Sequence, residues 1–139
     1  MTQERKLAAI MFTDIVGYTS LMENDEATAL YLLEINRQLV KSTVEQHQGH
    51  WIKELGDGTL TSFDSTLDAL NCALKILKLL KEYPRLKLRI GLHLGDIIIE
   101  DNDIFGDGVN IAARLQVQSP INGIAMSQHF HAQIQTKVS

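Results

Sequence analysis

The chain has 139 residues, of which 45% are hydrophobic and 22% are charged, and this composition is that of one ordinary globular domain with its own core. Its formal net charge of −4 argues against a non-specific nucleic-acid surface and against contact with an anionic membrane. Cys72 is the only cysteine, which excludes an intrachain disulfide and favours a reducing compartment. The sequence has neither a membrane-spanning apolar run nor a signal-peptide core, so we expect a cytoplasmic domain.

The first predicted elements are a buried strand and a long helix. Residues 7–12 form an apolar run of strand length. Residues 13–19 then form a tight polar turn, and Asn24 is placed to cap a helix that ends before Gly49. The apolar face of this helix is predicted to include Leu30, Leu32, Leu33, Ile35, Leu39, Val40 and Val44.

A hairpin and a second helix are predicted next. Strands at 50–55 and 59–63 flank a Gly-Asp-Gly turn with Asp57 at its tip. Ser65 is placed to cap the following helix. The predicted buried face of that helix consists of Leu67, Leu70, Leu74 and Leu77.

The second half of the chain predicts three more strands and two helices. The predicted elements are an alternating strand at 86–94, a turn at Gly95-Asp96, a strand at 97–100, a helix at 109–117 and a strand at 124–126. Ser127 is placed to cap a last helical turn. The resulting order suits an α+β sandwich in which an antiparallel sheet carries helices on one face. A doubly wound parallel sheet fits less well, because two connections are as short as hairpins.

Two carboxylates are expected to meet at one edge of this sheet. Asp14 follows the first strand and Asp57 lies at the hairpin tip, and a βαββ order places that strand beside the hairpin. Backbone N–H groups of Gly17, Tyr18 and Thr19 would face an anion at the mouth of the next helix. Carboxylates beside a phosphate-binding turn suit hard divalent cations. Asp14 taken alone could equally serve only to cap a turn.

Asn110 and Arg114 form a second polar group. They are four residues apart on a predicted helix, so they share one face. An amide and a guanidinium together suit a ribose and a charged phosphoryl transition state.

Three segments at 12–19, 53–58 and 103–114 resemble, in order and spacing, the motifs of the class III adenylate/guanylate cyclase catalytic domain. This resemblance covers nearly the whole chain and implies a ferredoxin-like sandwich of the nucleotidyl cyclase type. Residues 1–139 would then be this catalytic domain without the family's usual C-terminal segment, which carries a pyrophosphate-binding lysine.

The resemblance also implies residue roles. Asp14 and Asp57, with the carbonyl of Ile15, would hold two Mg²⁺ or Mn²⁺ ions, of which one activates the ribose 3′-hydroxyl and one grips the triphosphate. The 3′-oxygen would attack the α-phosphorus and expel pyrophosphate. Asn110 would position the ribose, and Arg114 would stabilise the α-phosphoryl charge. In the family these two residues come from the partner protomer, which implies a head-to-tail homodimer with shared sites.

Lys53 and Asp103 are expected to read the base. Lysine can only donate and ionised aspartate can only accept, so this pair complements N1 and the exocyclic amine of adenine and favours ATP over GTP. By resemblance, Arg89 would contact the β- and γ-phosphates. Lys53 could instead be a solvated residue of an edge strand, Asp101 could take the place of Asp103, and Arg89 could be an exposed arginine at a sheet edge.

Two functions of different class follow from these residues. The first is an adenylate cyclase that converts ATP to 3′,5′-cyclic AMP and pyrophosphate. The alternative is a catalytically weak or inactive cyclase-like module that binds nucleotide or only dimerises, which the absent C-terminal segment favours.

Overall fold

Two long central strands, β1 and β4, organise the domain, whose computed structural model describes residues 3–138. The strands are β1 Glu4–Ile15, β2 His50–Leu55, β3 Gly58–Phe63, β4 Leu88–Glu100, β5 Asp103–Phe105 and β6 Gly123–Met126. The helices are α1 Tyr18–Asn24, α2 Glu26–Gln46, α3 Thr66–Leu79, α4 Asp107–Gln118 and α5 Gln128–Val138, with a 3₁₀ turn at Leu80–Glu82.

The sheet confirms the predicted α+β class. Its order is β2-β3-β1-β4-β5, and these neighbours all pair antiparallel. β6 differs, because it pairs parallel with β4 beside the end of β4 that β5 leaves free. This direction follows from the connection, since the chain crosses from β5 to β6 through α4 instead of a hairpin.

The predicted turn at Gly95-Asp96 is wrong. β4 runs through it without a break, because both residues pair with β1, Gly95 opposite Ala8 and Asp96 opposite Leu7. The chain turns instead at Asp101-Asn102, whose φ angles of +52° and +63° are those of a tight two-residue hairpin.

The predicted first helix corresponds to α2, but a short helix that the sequence did not predict lies before it. The short α1 precedes α2, and the cap of α2 is Asp25 instead of Asn24. The Asp25 carboxylate accepts hydrogen bonds from the backbone N–H of Thr28 at 3.2 Å and from its hydroxyl at 2.6 Å. By contrast, Ser65 caps α3 as predicted and accepts from the N–H of Asp68.

Helices cover both faces of the sheet, whereas the sequence predicted one. The larger core packs α2, α3 and α5 against one face, and a smaller core lies on the other. The buried members of the smaller core are Ala8, Ile10, Leu60, Ile97, Ile104 and Ala112 of α4. The reason lies in β1, whose residues 8–11 are all apolar, so that alternation presents an apolar surface on each side.

The buried faces of the helices are made of smaller residues than the leucine pattern predicted. In α3 the fully buried apolar residues are Ala69, Cys72, Ala73 and Ile76. Leu74 of the predicted stripe is 50% exposed, and Leu30 of α2 is 46% exposed. Within residues 3–138 no helix combines the length and the apolar character needed to cross a bilayer.

The two faces of α3 predict different responses to truncation. We expect Ile76→Ala to lower the free energy of unfolding by about 2–5 kcal/mol, because it leaves a cavity in the larger core. Leu74→Ala on the same helix should lower it by less than about 1 kcal/mol. Urea unfolding of both variants measures the difference, and equal losses would contradict the placement of α3.

Candidate active site

The carboxyl groups of Asp14 and Asp57 meet as the βαββ order predicted. Asp14 lies opposite Gly58 in the pairing of β1 with β3, so the hairpin turn carries Asp57 beside it. The Asp57 carboxyl is near enough to perturb the protonation of Asp14. The site therefore begins with two acids held together at the end of β1.

Burial and the neighbouring acid change the protonation of Asp14. Burial is the larger cause and the Asp57 carboxyl is the second, and together they raise the pKa of Asp14 from 3.8 to about 7. The backbone N–H of Ile15 and the charge of Arg89 oppose this rise in pKa. The chain itself compensates the negative charge of these two acids only in part. Carboxylate oxygens in such a place suit hard divalent cations.

The turn after β1 has the geometry of a helix entry. Gly17 is the N-cap of α1 with φ +75°, a left-handed conformation that favours glycine. The first hydrogen bond of α1 runs from Leu21 N to Gly17 O, so the N–H groups of Tyr18 and Thr19 have no partner in the preceding turn. Ile15 ends β1 with its side chain buried in the larger core.

Arg89 is part of the sheet interior. It lies opposite Asp14 in the pairing of β1 with β4, and its Nε donates to the carbonyl of Ser119, the C-cap of α4, at 3.1 Å. The alternative of an arginine at an exposed sheet edge is therefore wrong, because β4 has neighbours on both sides here. A cation at this position also suits the negative end of the α4 dipole.

Lys53 and Asp103 are brought together from β2 and β5, although 50 residues separate them. Lys53 Nζ donates to Asp103 Oδ2 at 2.9 Å, and the second oxygen of Asp103 accepts from the N–H of Ile104 at 2.7 Å. The hydrogen bond from Lys53 is the main cause that lowers the pKa of Asp103. Asp101 instead lies exposed in the hairpin turn, so Asp103 is the carboxylate that faces Lys53.

Phe105 is a neighbour of this pair that the sequence did not single out. Lys53 Nζ lies 5.8 Å from the centroid of the Phe105 ring, within the range of a cation–π contact. Phe105 pairs with Ile98 in the sheet and is 47% exposed. The signal was present in the alternation of β5, which places residues 103 and 105 on one side of the strand.

Asn110 and Arg114 share a face of α4, as predicted, but this face points away from their own sheet. Both are exposed, whereas the buried face of α4 consists of Gly108, Ala112 and Gln116. The chain therefore keeps these two side chains apart from its own Asp14 and presents them to the surroundings.

Gln116 is a second residue that the sequence reasoning missed. It is 5% exposed, and its Nε2 donates to Asp14 Oδ2 at 3.5 Å. The signal was a polar residue four positions after Ala112, on the same helical face.

A family model described as the adenylate and guanylate cyclase catalytic domain matches residues 1–138. The chain is 41% identical over 135 residues to a Rhizobium meliloti protein named "Putative adenylate cyclase 3" and covers 23% of it. It is 30% identical over 129 residues to an adenylate cyclase of Streptomyces coelicolor and covers 34% of that protein. Each alignment includes 91% of the chain, which thus spans about a quarter to a third of these curated relatives.

Solved structures have the same architecture. The crystal structure of an adenylate/guanylate cyclase/hydrolase from Silicibacter pomeroyi matches with a TM-score of 0.90 and 38% identity, over 99% of this chain and 85% of that one. The adenylyl cyclase CyaB of P. aeruginosa matches with a TM-score of 0.85 over 98% of this chain and 84% of that one, and at 21% identity it supports the fold alone. This chain belongs to the adenylate and guanylate cyclase catalytic domain family.

Proposed function

We propose that this domain is an adenylate cyclase, which converts ATP to 3′,5′-cyclic AMP and pyrophosphate. The observation that carries the proposal is that Asp14 and Asp57, the acids that the resemblance assigns to metal binding, are neighbours at the end of β1. Curated bacterial relatives carry adenylate cyclase names, and a receptor-type guanylate cyclase of Caenorhabditis elegans is also similar, at 25% identity. The choice of base therefore rests on the residues of this chain.

Two divalent cations, Mg²⁺ or Mn²⁺, would be held by Asp14, Asp57 and the carbonyl oxygen of Ile15. When bound, such ions neutralise the carboxylates and the triphosphate and favour ionisation of the ribose 3′-hydroxyl. The raised pKa of Asp14 supports this assignment, because a cation replaces the proton that the carboxyl otherwise retains near neutral pH.

Lys53 and Asp103 would select adenine. Lys53 donates to N1 and Asp103 accepts from the exocyclic amine, and these two groups are neighbours on one edge of the base. The 2.9 Å ion pair holds donor and acceptor side by side before the base arrives, which limits the conformational entropy lost on binding. Guanine presents a donor and an acceptor in the opposite order, so each contact would be mispaired at a cost of about 1–3 kcal/mol.

The remaining groups would bind phosphate and the transition state. The N–H groups of Gly17, Tyr18 and Thr19 would face the triphosphate, and Arg89 would offer the guanidinium nitrogens that its contact with Ser119 leaves over. The 3′-oxygen would attack the α-phosphorus while the bond to pyrophosphate breaks, and the hydroxyl proton would pass to water. A guanidinium beside the α-phosphoryl group stabilises the charge that develops there.

That guanidinium would come from a second copy of the chain. Asn110 and Arg114 are exposed on the face of α4 that points away from their own acids, so they cannot complete the site of their own chain in this conformation. A head-to-tail homodimer would supply each site with the Asn110 and Arg114 of the other protomer.

The first test is the reaction itself. We expect the protein to form cyclic AMP and pyrophosphate from Mn²⁺-ATP, and we expect Asp57→Ala to lower kcat by about 100-fold or more. Asp96→Ala removes an exposed carboxylate of β4 and should leave the rate unchanged. Product formation is followed by chromatography. ATP binding without turnover, in the wild type and in Asp57→Ala alike, would identify a binding module instead of an enzyme.

Base selection is tested by Lys53→Glu. The substitution turns the donor into an acceptor, so the ratio of kcat/KM for ATP to that for GTP should fall by about tenfold to a hundredfold. Lys75→Glu makes the same charge change on the exposed face of α3 and should leave this ratio unaltered. An unchanged ratio in Lys53→Glu would refute the base-reading role.

The protonation of Asp14 predicts a pH-dependent stability of the protein in EDTA. Because the folded-state pKa lies above 3.8, the folded chain retains a proton that the unfolded chain releases, and folding becomes costlier as pH rises from about 4 to about 7. Asp14→Asn should therefore raise the free energy of unfolding, with a gain that grows over this range to on the order of 1–2 kcal/mol after allowance for solvent screening. Denaturant unfolding from pH 4 to 8 measures it, and a gain independent of pH would contradict the raised pKa.

A further inference from the structure

Gln116 is a buried glutamine directed at a carboxylate of the proposed site. Gln116 is 5% exposed, and its Nε2 lies 3.5 Å from Asp14 Oδ2, at the long end of hydrogen-bonding distance. A buried primary amide without a hydrogen bond costs free energy. The hydrogen bond to Asp14 therefore stabilises the buried amide as well as the acid.

The backbone of α4 places this glutamine through direct contact with β4. A Cβ atom at Gly91 would lie 2.7 Å from Gln116 N and 2.5 Å from Ala112 O, so a side chain at this position would displace α4. The helix thus rests on the bare backbone of β4. Since β4 pairs with β1 residue by residue, with Gly91 opposite Phe12, Gln116 and Asp14 are located relative to the same strand.

A second set of contacts holds the C-terminus of α4 to the same strand. Arg89 Nε donates to the carbonyl of Ser119 at 3.1 Å, and Ile90 N donates to Ser119 Oγ at 3.4 Å. Arg89 itself lies opposite Asp14. Contacts with β4 at Ala112, before Gln116 in the sequence, and at Ser119, after it, therefore hold this end of the helix in place.

We propose that Gln116 is a positioning residue for the Asp14 carboxylate of its own chain, an inference that rests on the proposed metal site. The amide takes one lone pair of Asp14, orients the carboxylate and leaves its remaining lone pairs for a cation, as outer hydrogen bonds to metal ligands commonly do. A neutral donor suits this position, because a cationic donor would neutralise the carboxylate and repel a bound cation.

One helix then serves two sites. Gln116 on the inward face of α4 acts on the Asp14 of its own chain, whereas Asn110 and Arg114 on the outward face would act on the substrate of the partner. Gln116→Met removes the hydrogen-bond donor with little change in volume. Gln118→Met, at the exposed end of the same helix, is the matched control.

Metal affinity is the direct readout. Binding of Mn²⁺ in the presence of 3′-deoxy-ATP, which lacks the attacking hydroxyl, is titrated by electron paramagnetic resonance. We expect Gln116→Met to weaken Mn²⁺ binding by about 10- to 100-fold and Gln118→Met to leave it unchanged. Equal Mn²⁺ affinity in Gln116→Met and the wild type would overturn the proposal.

Subunit mixing separates positioning from a displaced helix. If Gln116 acts within its own chain, Gln116→Met mixed with Arg114→Ala regains activity, because one of the two sites then has intact Gln116, Asp14 and Arg114. Gln116→Met mixed with Asp14→Ala should not regain activity. The reverse pattern would show that the substitution spoils α4 and its delivery of Arg114, and would overturn the proposal.

Asp14→Ala mixed with Arg114→Ala is the reference for the shared site. Recovery in this pair supports the homodimer of the proposed function. Absence of recovery between chains that demonstrably exchange subunits would refute that shared site, and the Mn²⁺ titration would then decide on Gln116 by itself. The two failures are therefore distinguishable.

Discussion

The antiparallel pairing of β1 with β4 is the constraint on which the rest of the molecule depends. The ladder runs from Glu4 opposite Ile99 to Ile15 opposite Leu88 without a break. It places Asp14 beside Arg89 at one end, and β3 on the other side of β1 brings in Asp57. A slip of one residue would reverse the side of the sheet on which every β1 side chain lies, and the acids would no longer meet.

The site is held together against an electrostatic cost. Burial and the nearby Asp57 disfavour ionised Asp14, and the charge of Arg89 offsets this only in part. The apolar packing of the two cores makes the arrangement possible, because the strands that carry the acids are fixed by side chains elsewhere. A domain of this size thus sustains a local destabilisation at these acids.

Helix α4 packs on the sheet with one face and is exposed on the other. Its inward face rests on the backbone of β4 at Gly91, and its outward face presents Asn110 and Arg114. Between these faces the helix has little freedom to shift, since the contacts at Ser119 tie its end to Arg89 and Ile90. A shift of the outward residues would therefore also move the inward ones.

Local patterns were enough for much of the fold. The hairpin around Asp57 and the cap at Ser65 follow from side-chain periodicity and turn chemistry, and the structure contains both. The strand predicted at 86–94 is also present, but it begins at Leu88 and is buried throughout residues 90–94, so the predicted half-buried alternation is wrong there. Periodicity was a poorer guide to burial where the size of the side chains determines which residues fit between a helix and the sheet. Leu74 is apolar but lies half exposed, because α3 packs closely enough to the sheet that alanines and Ile76 fill the contact.

The sequence by itself determined the family and the α+β class, and it predicted that Asp14 and Asp57 are neighbours, because these features depend on residue types at fixed spacings along the chain. Only the tertiary structure decided that α4 covers the second face, that β4 continues through Gly95, and that Gln116 reaches Asp14 across 102 residues of sequence. These features depend on which surfaces meet after the chain has folded. A one-dimensional pattern shows which face of an element is apolar, but it does not show what will pack against that face.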